Sequence, residues 1–126
     1  GVNRMDRQIR ICGYRLRVNL DGETSDEISE VKTHKSHTFK VSRAYWMQAQ
    51  VEMYAARKNL RIVAYHLEPD DYKNWFREID ADRLSYHKIE YDHAWVENEY
   101  LPRIRYLAHC LRKGVFPIDG DYIRER

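Results

Sequence analysis

Cysteine is scarce in this sequence. There are two cysteines among 126 residues, Cys12 and Cys110, and they lie far apart in amphipathic segments. Two thiols cannot hold a metal cluster by themselves. We expect both to be reduced, as in a cytoplasmic protein, rather than joined in a disulfide.

Long apolar runs are also absent. No run approaches the ~18 residues that a membrane-spanning helix requires, and no signal-like apolar stretch follows the first residues. The chain contains neither an internal repeat nor a low-complexity stretch. These absences argue against a membrane protein and favour a cytoplasmic location.

The composition that remains is that of one ordinary globular domain. Charged residues make up 33% of the 126 residues and hydrophobic residues 43%, which suffices for one buried core but not for two. The formal net charge of +2 indicates little by itself. Basic side chains, however, crowd the ranges 7–17 and 32–43, whereas acidic ones concentrate at 21–30 and 68–82. This division is typical of a phosphate-binding protein with a metal site, although a solvated surface also shows it.

Alternating apolar and polar residues predict the strands. The stretch that ends at Asp21-Gly22 predicts a hairpin with its turn at Cys12-Gly13, and 28–33 predicts a third strand. The nearly continuous apolar run "LRIVAYHL" (60–67) predicts a central strand, and "LSYHKIEY" (84–91) predicts another.

Helical periodicity appears in two segments. Ser42 is a suitable N-cap for a helix over 43–58, and a last helix runs over roughly 93–113 with Gly114 as its C-cap. Pro102 lies inside this last helix and predicts a kink. The order of elements predicts an α/β fold, with one mixed central β-sheet flanked by helices. The residues expected to be mostly buried are Ile28, Val31, Met47, Val51, Ile62, Ala64, Leu101, Ile104 and Leu107.

The segment "ISEVKT" (28–33) carries a charged pair within the third strand. Because alternate strand residues share a face, Glu30 and Lys32 are expected to point the same way. Asp21 ends the preceding strand, so its carboxylate can converge with that of Glu30 if the strands are adjacent. Two carboxylates on rigid strands suit a hard cation such as Mg²⁺, and a nearby lysine can orient water or offset phosphate charge. The alternative interpretation is an ordinary charge pair on a solvated strand.

These residues carry a family resemblance. The stretch "VNLDGETSDEISEVKT" (18–33) resembles the motif of the PD-(D/E)XK nuclease superfamily, in the form found in YqaJ-type phage recombination exonucleases. On the next helix, "QVEMY" (50–54) resembles the Gln-x-x-x-Tyr motif of RecB-like and lambda-exonuclease-like nucleases. The likeness covers about residues 14–113. It implies that 1–126 is a single nuclease core domain with a restriction-endonuclease-like fold, lacking the N-terminal helical region of its relatives.

The resemblance also implies a role for each matching residue. Asp21 and Glu30 would be metal ligands, with the backbone carbonyl of Val31 as a third, and Lys32 would be the catalytic lysine. Gln50 and Tyr54, adjacent on one helix face, would brace the site or bind substrate. The implied cofactor is Mg²⁺, with Mn²⁺ as a substitute. We further expect the Lys32 ammonium to lie close to the carboxylates of Asp21 and Glu30.

Three functions follow as hypotheses. The first is a Mg²⁺-dependent DNA exonuclease acting in recombination or repair, with DNA, a homo-oligomer and a single-strand annealing protein as expected partners. The second is a structure-selective or restriction-type endonuclease of the same superfamily, and the third is a non-catalytic DNA-binding module. Iron–sulfur nucleases with these motifs need four cysteines, which the sequence lacks. His34 and His37 follow the motif as loop or phosphate-contacting residues, and aromatic residues such as Trp46 and Trp75 could stack bases, although none is assigned to DNA.

Overall fold

The computed structural model describes residues 5–11, 14–73 and 78–118. Its strands are β1 (Met5–Ile11), β2 (Tyr14–Leu20), β3 (Gly22–Glu23), β4 (Glu27–His34), β5 (Asn59–His66) and β6 (Leu84–Ile89). Its helices are α1 (Arg43–Ala56), α2 (His93–Trp95) and α3 (Leu101–Lys113), with a π-helical turn at Val96–Tyr100 and 3₁₀ turns at Pro69–Tyr72 and Ala81–Arg83. The predicted turn at Cys12-Gly13 and the residue Trp75 lie outside the described residues.

A four-stranded mixed sheet forms the centre of the fold. Its order is β3-β4-β5-β6, and β4 runs parallel to β5 whereas the other pairs are antiparallel. The predicted α/β class, with a mixed central sheet flanked by helices, is confirmed, and "LRIVAYHL" is a central strand as expected. The prediction of one single sheet is wrong, because β1 and β2 pair only with each other. The short strand β3 takes the edge of β4 instead, opposite Ser29 and Ile28.

Helix α1 covers one face of this sheet. The Ser42 hydroxyl accepts a hydrogen bond from the Tyr45 N–H at 3.1 Å, which caps the first turn. The helix ends at Ala56, two residues before the predicted limit, where Arg57 adopts a left-handed conformation with φ 59°. The residues packed between helix and sheet are Ile28, Ala49, Met53, Leu60, Ile62, Ala64 and Ile89.

The C-terminal helical segment changes its winding just before Pro102. The Leu101 N–H donates to the carbonyl of Val96, five residues back, instead of the usual four. Proline lacks an N–H, and its ring clashes with the carbonyl four residues earlier, so a wider turn relieves the conflict. The expected kink therefore takes the form of a π-helical turn. The segment ends at Gly114, whose φ of 68° makes it a C-cap that suits glycine.

The predicted core is confirmed in part. Ile28, Ile62, Ala64 and Leu101 are buried, and Met47, Val51 and Ile104 are half-buried. The prediction is wrong for two residues, Val31 and Leu107, which are each 41% exposed. Val31 points to the face of the sheet opposite α1. Leu107 lies beyond the π-helical turn, which shifts the phase of a buried stripe extrapolated at 3.6 residues per turn.

Among the described residues, no helix is long and apolar enough to cross a membrane.

Candidate functional site

Strand β4 presents its charged pair towards α1. Burial alternates along the strand, with Ile28 and Glu30 buried and Val31 exposed. Lys32 is half-buried on the same side as Glu30. The sequence-predicted arrangement of Glu30 and Lys32 on one face is therefore present, and the pair lies beside the helix rather than on an open strand surface.

Asp21 reaches this site through its own hydrogen bond. Its Oδ2 accepts a hydrogen bond from the Val31 N–H at 3.0 Å, across the edge of the sheet next to β3. The Asp21 carboxylate thereby comes close enough to Glu30 to raise the pKa of that residue through its charge. The structure thus brings Asp21 and Glu30 together as predicted, although β3, not β2, is the strand neighbour of β4.

Glu30 is an acid in an unfavourable environment for charge. It is 4% exposed, and its Oε1 receives no hydrogen bond from any described residue. Burial is the main reason that its pKa is raised; a hydrogen bond donated by the protonated Glu52 opposes the shift, and the Asp21 charge adds to it. A buried carboxylate oxygen without a donor is costly, so this site is suited to an additional cation or proton.

Glu52 on α1 is a functional candidate that the sequence reasoning missed. It is 2% exposed, and burial followed by the nearby Glu30 charge raises its pKa to about 9. Its Oε2 also lacks a donor among the described residues, while its Oε1 accepts a long hydrogen bond of 3.4 Å from Gln48 Nε2. Glu52 therefore keeps its proton at neutral pH, beside a Glu30 whose own pKa is also raised.

A signal for Glu52 does exist in the sequence. The apolar face of α1 includes Ala49 and Met53, and Glu52 lies next to both on the helical wheel. An acidic residue bordering a buried helix face is unusual unless it is paired. The Gln-x-x-x-Tyr resemblance concerns Gln50 and Tyr54, which lie on either side of Glu52 in the sequence.

Lys32 is held by α1 and not by the carboxylates. Its Nζ donates to Gln48 Oε1 at 3.2 Å and lies 4.4 Å from the centroid of the Tyr45 ring. Within the described part of the chain no ion pair joins Lys32 to Asp21 or Glu30, so the expected direct contact is wrong. The Gln48 amide intervenes, because it accepts from Lys32 and donates to Glu52.

Gln50 and Tyr54 lie on a different side of α1 from the acidic residues. Gln50 is fully buried, its Nε2 donates to the Glu90 carbonyl at 2.9 Å, and its Oε1 accepts from the Asp92 N–H at 2.7 Å. Tyr54 is half-buried against the cluster of Val96 and Leu101. The structure gives Gln50 a bracing position between α1 and the segment after β6. Direct contact with a substrate would require these hydrogen bonds to open, and contact by Tyr54 stays a prediction.

The donor set at the site suits a hard cation. Among the described residues, no three histidine, cysteine or acidic side chains already form a metal-binding group. Glu30 and Glu52 nevertheless each bury an oxygen that no described donor satisfies, and carboxylate oxygens are the ligands that Mg²⁺ prefers. The residues present therefore fit the cation that the resemblance implies.

Comparisons with known proteins add little to this geometry. No family model matches the chain, and no curated protein matches it. A solved structure described as the crystal structure of SSO0001 is 17% identical, with a TM-score of 0.49. The match covers 96% of this chain and 52% of that one, so the chain spans about half the length of that protein. A likeness at this level supports no assignment of function.

Proposed function

We propose that the protein is a divalent-metal-dependent deoxyribonuclease that hydrolyses phosphodiester bonds. The observation that carries this proposal is the pair of buried carboxylates, Glu30 and Glu52, each with an oxygen that no described donor satisfies. Asp21 and Lys32 border this pair. Carboxylates that can hold a cation, with a lysine nearby that can balance phosphate charge, are suited to metal-assisted phosphodiester hydrolysis.

Asp21 and Glu30 are the residues that would hold Mg²⁺ or Mn²⁺, together with the Val31 carbonyl. When bound there, the cation supplies Lewis-acid activation of water and neutralises charge on the phosphate. The chain's own contribution is to fix the ligands. The Val31 N–H holds Asp21 Oδ2 at 3.0 Å, and the rigid strand β4 holds Glu30. Because burial and the neighbouring Asp21 raise the pKa of Glu30, this ligand must be deprotonated for a cation to bind, so binding is expected to strengthen as pH rises.

Lys32 would balance phosphate charge and orient the attacking water. Its present contacts are Gln48 and the Tyr45 ring, and Gln48 in turn donates to Glu52 of the acidic pair. Both contacts of Lys32 are uncharged, so Lys32 keeps its full charge for a phosphate that approaches. Lysine offers no lone pair to a cation when protonated, and a role in cation binding is therefore not expected.

The resemblance favours one substrate class. The stretches 18–33 and 50–54 resemble DNA exonucleases of recombination or repair most, and a homo-oligomer and an annealing protein are the partners that this resemblance implies. A structure-selective endonuclease would use the same chemistry. A non-catalytic DNA-binding module is the alternative of another class, and the intact set of acidic and basic residues argues against it.

The test uses end-labelled linear duplex DNA and closed-circular DNA, each incubated with Mg²⁺ or EDTA. We expect linear DNA to be degraded from its ends in Mg²⁺ only, and Asp21→Asn or Glu30→Gln to lower the rate at least ~100-fold. Asp26→Asn is the matched control, because Asp26 is an exposed acid in the same β3–β4 turn. Cleavage of circular DNA would favour the endonuclease. Binding without cleavage of either substrate would favour the third function, and full activity of the Glu30 variant would refute the metal site.

A further inference from the structure

A cavity of about 630 Å³ opens where β4 leads into α1. Its polar lining consists of Thr33, His34, Ser36, His37, Thr38 and Lys40, and the rings of Phe39 and Tyr45 complete the wall. None of the described residues that line it carries a carboxylate. Hydroxyls, imidazoles and an ammonium group can all donate hydrogen bonds, so the cavity is suited to an anion with several acceptor oxygens.

Contacts with His66 of β5, and one within the loop, hold the loop that follows β4 in place. His34 Nδ1 lies 2.7 Å from the Ser36 carbonyl, and the His34 ring stacks on that of His66 with centroids 5.2 Å apart. His66 Nε2 in turn lies 3.1 Å from the Lys35 carbonyl. These contacts fix the backbone of the loop, which lowers the entropy that a bound ligand would otherwise cost.

Two side chains of the loop remain available to a ligand. His37 and Lys40 are both exposed and line the cavity. The centroid of the His37 ring lies 5.5 Å from that of His66, and His37 also lines the cavity. The loop therefore combines a fixed backbone with exposed donors.

The cavity adjoins the candidate site through Tyr45. Tyr45 lines the cavity, and the Lys32 Nζ lies 4.4 Å from the centroid of its ring. His34 follows Lys32 by two residues on the same side of β4, which corresponds to roughly 7 Å at the rise of a strand. The cavity therefore lies within a few nucleotides of the candidate site along one bound strand, whose phosphates follow one another at about 3.4 Å along the helix axis.

We propose that this cavity binds a backbone phosphate of the DNA strand, one or two nucleotides from the bond that is cut. His37 and Lys40 are then substrate-positioning residues that set the register of the strand against Asp21 and Glu30. The proposal rests on the proposed nuclease function for its account of the neighbouring site. Phosphate contacts of this kind position a strand without reading its sequence, so no base preference is expected from the cavity.

The test measures binding of a labelled oligonucleotide in EDTA, where no cleavage occurs. A series of oligonucleotides carries one neutral methylphosphonate linkage, moved step by step from the end. The double variant His37→Gln with Lys40→Gln is compared with the wild type and with Lys88→Gln. Lys88 is an exposed lysine on the opposite face of the sheet, so it matches the change in charge without touching the cavity.

We expect the double variant to bind roughly tenfold more weakly at moderate salt and its salt slope to fall by about 1. A methylphosphonate at one position should weaken oligonucleotide binding by the wild type but not by the double variant. The double variant has already lost the phosphate contact that this linkage removes. In Mg²⁺, the KM of the double variant should rise while kcat changes little. Lys88→Gln should lose as much binding as the wild type does when the methylphosphonate is at that position.

Separate outcomes distinguish this proposal from the nuclease function. If DNA is cut but every methylphosphonate has the same effect on wild type and double variant, the cavity does not bind the strand and the proposal is overturned. If the wild type binds inorganic phosphate there without such coupling, the cavity is a site for free phosphate, and the proposal is likewise overturned. Coupling without any cleavage would support the strand contact and refute the nuclease function.

Discussion

Replacing Glu52 by glutamine should stabilise the protein, and should do so only at neutral and alkaline pH. Glu52 is buried beside Glu30, and its pKa is raised to about 9 from an ordinary value of 4.5. Glutamine has nearly the same shape and can donate its amide N–H to the Glu30 carboxylate. The substitution therefore removes a titrating group while leaving the packing in place.

The direction of the pH dependence follows from the protons bound. Below pH 4.5 both folded and unfolded chains carry the Glu52 proton. Between there and about 9 the folded chain keeps the proton that the unfolded chain has released, so the free energy of unfolding falls as pH rises. One such proton corresponds to about 1.4 kcal/mol per pH unit, or about 4 kcal/mol at most between pH 5 and pH 8. Because structural relaxation and water penetration lower such costs, we expect roughly half of this.

The assay compares chemical denaturation of Glu52→Gln and wild type in EDTA at pH 5 and pH 8. The two proteins should have similar stability at pH 5, and the variant should be more stable by about 2 kcal/mol at pH 8, a rise in Tm of several degrees. Glu90→Gln is the control, because the Glu90 side chain is 87% exposed and should show no such difference. A Glu52 variant that is less stable than wild type by the same amount at both pH values would refute the raised pKa of Glu52 as the cause.

Three further predictions concern the neighbouring residues. Lys32→Ala should abolish most DNA cleavage while Mn²⁺ binding, measured by calorimetry, stays near the wild-type value, and Lys32→Arg should fail to restore cleavage because the larger, planar guanidinium does not fit the place of the ammonium between Gln48 and the Tyr45 ring. Gln50→Leu should lower the free energy of unfolding by about 2–4 kcal/mol in a denaturant titration, because it leaves the Glu90 carbonyl and Asp92 N–H unpaired. Mg²⁺ should raise the Tm of the wild type more at pH 8 than at pH 5, and Glu30→Gln should remove this rise.

Each of these predictions has a contrary result. Wild-type cleavage by Lys32→Ala would make the lysine a mere surface charge. A Gln50 variant as stable as wild type would mean that its two hydrogen bonds contribute nothing net. An equal effect of Mg²⁺ on Glu30→Gln and wild type would place the cation elsewhere.

The sequence predicted those parts of the fold that depend on local pattern. Strand alternation and the Ser42 cap were sufficient for β4 and α1, since both signals lie within a few residues of what they specify. Which face of the sheet α1 covers is decided by distant parts of the chain. Val31 was therefore wrongly expected to be buried, and the separate pairing of the hairpin was not foreseen.

The candidate site likewise has some features that local sequence pattern predicts and others that depend on tertiary packing. Asp21, Glu30 and Lys32 could be proposed from spacing along adjacent elements. The participation of Glu52 depends on how α1 is rotated above the sheet, which the helical period alone does not specify. The same rotation points Gln50 and Tyr54 away from the acids, although their mutual adjacency on the helix was correctly anticipated.

The parallel pairing of β4 with β5 has a consequence for folding. Glu27 lies opposite Asn59 and His34 opposite His66, so every rung of this ladder closes a loop of about 32 residues. Non-local pairing of this kind forms late, because the loop entropy must be overcome before the contacts stabilise the chain. Glu52 lies on α1 within this loop, so closing the loop keeps α1, and with it Glu52, over β4. Amide protons of β4 and β5 should accordingly exchange with solvent only through global unfolding, so that no partly unfolded form of the protein retains the candidate site.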